Sequence, residues 1–139
     1  MVKAELDRQL MIRVKDHVGT LSEVTHLISS SGINLVAICA YAVDNLVSVM
    51  FVTEDNNAAR TILEGQNYHV QEDEVILLTI DNKPGALQTV TDKIAAAGID
   101  LRLVYGSVEK TGTMSRIVMI SKNNLDVMLL LKTEFERNS

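Results

Sequence analysis

Apolar and polar residues alternate over Leu10, Ile12 and Val14, the period of a half-buried strand, and the alternation reaches back to Ala4 and Leu6. Past a turn at Asp16–Gly19 the period changes, with Leu21, Val24 and Ile28 recurring at helical spacing. Thr20 and Glu23 stand at the T-x-x-E spacing of a capping box at the helix start. Gly32 ends the helix, as the residue that tolerates a left-handed C-terminal position. Leu35–Val43 and Leu46–Val52 are β-rich runs around Asp44-Asn45, which predicts a hairpin. A second helix is predicted over Asn57–Glu64, stopped by Gly65, and a short strand over Tyr68–Gln71. The order is β-α-β-β-α-β.

The second half repeats it. Val75–Ile80 reads as a strand and Asn82–Gly85 as a turn. Gly85–Ala97 reads as a helix with Leu87, Val90 and Ile94 on one face and Gly98 behind. Ile99–Val108 and Met114–Ile120 predict a hairpin around Lys110-Thr111-Gly112, and Asn124–Thr133 a final helix. Displaced by 66 positions, residues 16–35 match the later copy at eight of twenty places: Gly19, Leu21, Val24, Thr25, Ile28, Gly32, Ile33 and Leu35. Chance at average composition gives about one or two. Two domains are therefore expected, 1–72 and 73–139, meeting in the acidic run Gln71-Glu72-Asp73-Glu74, which reads as a solvated boundary. The tail Glu134–Ser139 is a poor last strand for the second copy. That strand is absent, or is supplied by the long first strand or by a second molecule; the sequence does not choose.

Composition narrows the function. Hydrophobic residues make up 47% and charged residues 22%, the balance of a folded soluble chain. A net charge of −5 and aromatics at 4% argue against a nucleic-acid-coating role, which needs clustered cations and stacking platforms. No apolar run approaches the ~20 residues of a membrane span, and the charged start MVKAELDRQL does not read as a signal peptide, so a cytoplasmic setting is expected. The single cysteine, Cys39, excludes an internal disulfide and reads as a small buried strand residue. His26 and His69 are isolated, so no metal site and no cofactor are expected. No nucleophile elbow, Cys-His pairing, phosphate loop or HExxH is present, and no enzymatic activity is expected.

A strand, then N-x-P-G-x-L opening a helix, then G-I-[ND]-L opening the next strand, resembles the ACT domain. Asn82-Lys83-Pro84-Gly85-Ala86-Leu87 with Gly98-Ile99-Asp100-Leu101 matches closely; Asp16-His17-Val18-Gly19-Thr20-Leu21 with Gly32-Ile33-Asn34-Leu35 matches with Val18 at the proline position. The resemblance covers nearly the whole chain and implies an α+β fold: two tandem ferredoxin-like βαββαβ domains, each an antiparallel sheet with helices on one face. It also implies regulatory binding of a small ligand, most often an amino acid, between the first β-α turn of one domain and the second-strand region of another.

Such a turn suits a carboxylate on physical grounds. A glycine lets backbone approach closely, and first-turn amides with the positive end of the helix dipole attract anions. The candidate donors are the amides of Val18–Leu21 in copy one and Gly85–Leu87 in copy two. The resemblance gives Asp16 and Asn82 the turn side-chain role and Asn34 and Asp100 the second polar role, with Leu35 and Leu101 beside them. An ammonium suits Asp16 or Asp100, whereas Asn34 or Asn82 both donates and accepts. Each residue also has a local role open to it, since turns favour Asp and Asn for their own hydrogen bonds. If Thr20 caps the helix it occupies a donor the ligand wants, which favours copy two, while the missing last strand of that copy counts against it. His17 is a turn residue that either contacts a ligand or stands exposed. Two functions follow. One is a ligand-sensing regulatory module, expected to dimerise through sheet edges. The other is an interaction protein that docks on an enzyme or transcription factor without binding a ligand.

Overall fold

The computed structural model describes residues 2–108 and 112–138. Its elements run β1 (Val2–Lys15), α1 (Thr20–Ser29), β2 (Leu35–Val43), β3 (Leu46–Thr53), α2 (Asn56–Gly65), β4 (Gln71–Asp81), α3 (Ala86–Ala96), β5 (Leu101–Val108), β6 (Met114–Ser121) and α4 (Asn124–Asn138). The repeat is plain in this order, and the fold is α+β and ferredoxin-like in each half. Lys110 and Thr111, assigned to the second hairpin turn, and Ser139 lie outside the described residues.

The chain forms two compact units, Arg8–Asp73 and Met1–Asp7 with Glu74–Ser139. In the first unit β2 lies outermost beside β3, and β3 beside β1. Antiparallel registers run through Leu10↔Phe51 and Val14↔Val47 on one side of β3 and Cys39↔Met50 on the other. Leu10, Ile12, Val49 and Phe51 meet Val24 and Ile28 of α1 and Ala59 and Leu63 of α2, and all of these are buried. Full burial of one such large side chain contributes about 1.5–3 kcal/mol. The hairpin turn holds Asp44 at φ 50° and Asn45 at φ 66°, the left-handed pair that a two-residue turn of this hand requires.

The second unit repeats the arrangement with β5 outermost beside β6, and β6 beside β4. Ile76, Leu78, Ile80, Ile117 and Met119 pack with Val90 and Ile94 of α3 and Val127 and Leu131 of α4. Val2 and Ala4, from the start of β1, pack against this core. The first residues of the chain thus stand with the second copy, where a final strand of its own is lacking.

Three local expectations are corrected. The run Gln71–Glu74, within which the two units divide at Asp73/Glu74, is not a solvated linker but the start of β4, and Tyr68–Val70 precede it without strand structure. Glu72 is paired within the first unit: its Oε2 lies 3.4 Å from Arg8 Nη1 and 3.7 Å from Arg60 Nη1. Cys39 is half-buried, because β2 is an edge strand covered on fewer sides than a central one. The capping box does not form. Gly19 is the N-cap, held at φ 92°, and Thr20 is already helical, so its hydroxyl donates back to the His17 carbonyl at 3.0 Å. Glu23 instead accepts from the Tyr68 hydroxyl at 2.6 Å. Burial first, and that hydrogen bond second, raise the Tyr68 phenol from 10.0 to about 12.

Candidate functional site

The two β-α turns are built alike. Each ends in a glycine N-cap in the left-handed region, Gly19 at φ 92° and Gly85 at φ 85°, without a side-chain cap. Among the described residues, no hydrogen bond engages the amides of Val18, Gly19 and Leu21, or those of Gly85 and Leu87. Thr20 N–H reaches the His17 carbonyl at 3.4 Å and Ala86 N–H the Lys83 carbonyl at 3.2 Å. The expected competition from Thr20 is absent, since its hydroxyl donates to a carbonyl and accepts from no amide. Each turn therefore presents donors at the positive end of a helix of ten or eleven residues.

Their side chains differ. Asn82 is half-buried, and its carboxamide donates from Nδ2 to the Gly112 carbonyl at 2.9 Å while its amide donates to Thr113 O at 2.9 Å. It ties the turn to the β5–β6 connection, the local role open to it from the sequence. In copy one that tie is made by backbone alone, from Asp16 N–H to Asn45 O at 2.6 Å. The exposed Asp16 carboxylate has no hydrogen-bond or ion-pair partner among the described residues. Val18 is fully exposed at 104% and adds an N–H that Pro84 lacks. His17 is exposed, with Nδ1 3.1 Å from the Val18 carbonyl, and Lys83 is exposed.

Asn34 and Asp100 are exposed, and their backbone carbonyls accept from Glu54 N–H at 3.1 Å and Lys122 N–H at 2.9 Å. These bonds tie the start of the outer strand to the end of its neighbour and leave the side chains without partners among the described residues. Leu35 and Leu87 are exposed, Leu101 half-buried. Asp100 and Leu101 border an open concavity of ≈ 440 Å³ with Thr91, Ile94, Ala95, Gly98 and Ile99, at the C-terminal end of α3.

Within a unit the two halves of the candidate site do not meet. The turn lies at the N-terminal end of α1 or α3, and Asn34 or Asp100 follows the C-terminal end. At 1.5 Å per residue those ends are about 15 Å apart. Among the described residues, no cluster of His, Cys, Asp or Glu could hold a metal, and no helix is long and apolar enough to cross a membrane.

Asn56 and Asn124, which the sequence marks only as part of the helix caps Asp55-Asn56-Asn57 and Asn123-Asn124, make longer-range bonds as well. Asn56 Oδ1 accepts from Thr53 N and Oγ1 at 3.0 and 2.8 Å, and its Nδ2 donates to Arg8 O at 2.8 Å. Asn124 does the same with Ser121 N and Oγ at 2.8 and 2.9 Å and Glu74 O at 3.0 Å. The signal is Thr53-Glu54-Asp55-Asn56 against Ser121-Lys122-Asn123-Asn124, displaced by 68 positions, not 66, because the second hairpin, Leu101–Ser121, is two residues longer than the first, Leu35–Thr53.

No family model and no curated protein matches the sequence. Solved structures do match by fold. A protein of Bacteroides thetaiotaomicron superposes with TM-score 0.87 at 24% identity, over 94% of this chain and 90% of that one. The regulatory subunit of aspartate kinase from Thermus thermophilus, in its ligand-free form, gives TM-score 0.67 at 12% identity over 95% of each chain. The corresponding Thermus flavus subunit gives 0.64 at 14% identity, over 99% of this chain and 97% of that one. With the doubled βαββαβ order and the paired glycine turns, these likenesses show that the chain has the tandem ACT-type ferredoxin-like fold.

Proposed function

We propose that the chain is a non-catalytic regulatory module that binds an amino acid between ACT-type units and signals by a change of association or conformation. The observation that carries this reading is the pair of glycine-capped turns whose leading amides, those of Thr20 and Ala86 aside, have no hydrogen-bond partner among the described residues. A ligand carboxylate matches them in charge and in hydrogen bonding. The separation of turn and second polar residue within a unit supports a ligand held between units, which links binding to association. Such a ligand acts only in so far as its affinity differs between two arrangements. The likeness to regulatory subunits of aspartate kinase, rather than to a catalytic body, supports a regulatory role without chemistry. Homodimerisation belongs to the same reading.

The test is a thermal-shift screen of the full chain against the twenty amino acids, followed by calorimetry on any that respond. A ligand at a hundred times its Kd stabilises by about 2.7 kcal/mol, a rise of several degrees at this chain length. One responding amino acid supports the reading. A flat panel at millimolar ligand overturns it in favour of an interaction protein, which needs only exposed apolar surface such as Val18 or Leu125 and Leu129 of α4.

A further inference from the structure

The sheet of the first unit carries that unit's helices on one face, against Leu10, Ile12, Val49 and Phe51. The residues between these turn to the other face. There Met11 of β1 stands opposite Met50 of β3, and Met50 stands opposite Cys39 of β2. Three sulfur side chains thus lie in one row across three strands. Directly opposed residues hold their Cβ atoms about 4.5–5.5 Å apart. Two metal–sulfur bonds of about 2.3 Å each span a gap of that size, and the flexible Met side chains can lean into it. The chain has six Met and one Cys in 139 residues, so composition does not account for three of them in one row.

The second unit supplies an internal comparison. Its equivalent row is Leu77 of β4, Val118 of β6 and Tyr105 of β5, in the same register. Packing at these positions therefore asks only for apolar volume, which hydrocarbon and aromatic side chains meet. Sulfur at all three places in the first unit goes beyond that requirement.

The donors choose the ion. Thiolate and thioether are soft ligands and select Cu(I) among the biological metals, whereas hard cations need oxygen. No carboxylate stands in the sulfur row or in the neighbouring rows, Val52–Ala37 on one side and Arg13–Ser48–Tyr41 on the other. One thiolate with two neutral thioethers makes a neutral complex around a monovalent ion. A divalent ion would leave a net positive charge near the Arg13 guanidinium, two residues along β1, whose Nε donates to Ser48 Oγ at 3.2 Å. Access and shielding also fit. β2 is an outer strand, and Cys39 and Met11 are half-buried at the two ends of the row, while Met50 between them is 3% exposed.

We propose that Cys39, Met50 and Met11 form a binding site for Cu(I), on the face of the first unit's sheet that its own helices leave. As the metal–sulfur bond forms, Cys39 Sγ gives up its proton to water, and the two Met Sδ atoms donate lone pairs. No electron is transferred. The site stands apart from the β-α turns and does not depend on the amino-acid reading.

The experiment titrates the full chain, reduced and free of oxygen, with Cu(I) in competition with a chromophoric Cu(I) chelator, and with Ag(I) as a redox-inert probe by calorimetry. One ion per chain is expected, released as pH falls, with sulfur alone around the copper in X-ray absorption. Cys39→Ser is expected to lower affinity by about a hundredfold or more, and Met50→Leu and Met11→Leu by about tenfold or more each, because even an outer-shell partner of a metal carries about 10–100-fold. Met→Leu conserves volume, so the metal-free variants should melt near the wild type. Met128→Leu, outside the row, is expected to change nothing, and Zn(II) is expected not to compete. Wild-type affinity in Cys39→Ser overturns the site. Wild-type affinity in both Met→Leu variants of the row also overturns it, since the thiol alone then binds. Nitrogen or oxygen around the copper, or Zn(II) bound as tightly, overturns the choice of donors and ion. Should Met50→Leu fail to fold, Met11→Leu at its half-buried position decides.

Discussion

Asn56 offers the most direct check on how each unit is held together. Its side chain accepts from the Thr53 amide at 3.0 Å and hydroxyl at 2.8 Å and donates to the Arg8 carbonyl at 2.8 Å. It thereby joins the end of β3, the start of α2 and β1. A net intramolecular hydrogen bond contributes about 0.5–1.5 kcal/mol, and an unsatisfied buried partner costs more. Thr53 is 6% exposed, so water does not readily replace the lost acceptor. Asn56→Ala should therefore cost about 2–4 kcal/mol. Asn56→Asp keeps both accepted bonds and loses only the donated one, so it should cost about 1–2 kcal/mol. Urea unfolding followed by circular dichroism measures both, and hydrogen exchange should place the lost protection in α2 and the end of β3. Asn124→Ala should behave alike in the second unit, where Ser121 is likewise 6% exposed. A cost below about 0.5 kcal/mol for either alanine, or an aspartate as damaging as the alanine, would refute the assignment of energy to the accepted bonds.

Glycine substitutions separate conformation from space. A Cβ at Gly85 meets nothing within 4 Å, but φ is +85°, so Gly85→Ala should lose about 1–2 kcal/mol to backbone strain alone. Gly65 is equally open and its φ lies outside the left-handed region, so Gly65→Ala should be neutral or stabilise by up to about 1 kcal/mol; thermal melts of the two variants should move in opposite directions. Tyr68 gives a pH signature. Its folded pKa of about 12 lies above the ordinary 10.0, so its contribution is whole below pH 10 and is lost as pH rises toward 12. Tyr68→Phe should remove that part of the alkaline fall in melting temperature. Parallel wild-type and variant profiles between pH 9 and 12 would show that the bond to Glu23 carries no stability.

The repeat, the fold class and the two turns were legible because they depend on local requirements: glycines where φ is positive at 19, 32, 85 and 98, and apolar stripes at the helix period. What was not legible depends on partners far along the chain. Glu23 has the right spacing for a capping box, yet Tyr68, 45 residues on, takes its carboxylate. Glu72 and Asp73 look solvated in sequence, yet Glu72 stands between Arg8 and Arg60 inside a strand. The same limit applied to the candidate site. Asp16 and Asn82 are equivalent by alignment and by local preference, and only the Gly112 carbonyl, 30 residues away, distinguishes them. One bond of 2.9 Å occupies the carboxamide of Asn82 in addition to the backbone bond that each copy makes, Asp16 N–H to Asn45 O at 2.6 Å and Asn82 N–H to Thr113 O at 2.9 Å, and the Asp16 side chain makes no such bond. The repeat kept its geometry in both copies while the side chain at the turn was released in one of them. A duplicated fold can differentiate in this way without altering its core, because backbone ties the turn to the hairpin in both copies and the side-chain bond is an addition in the second.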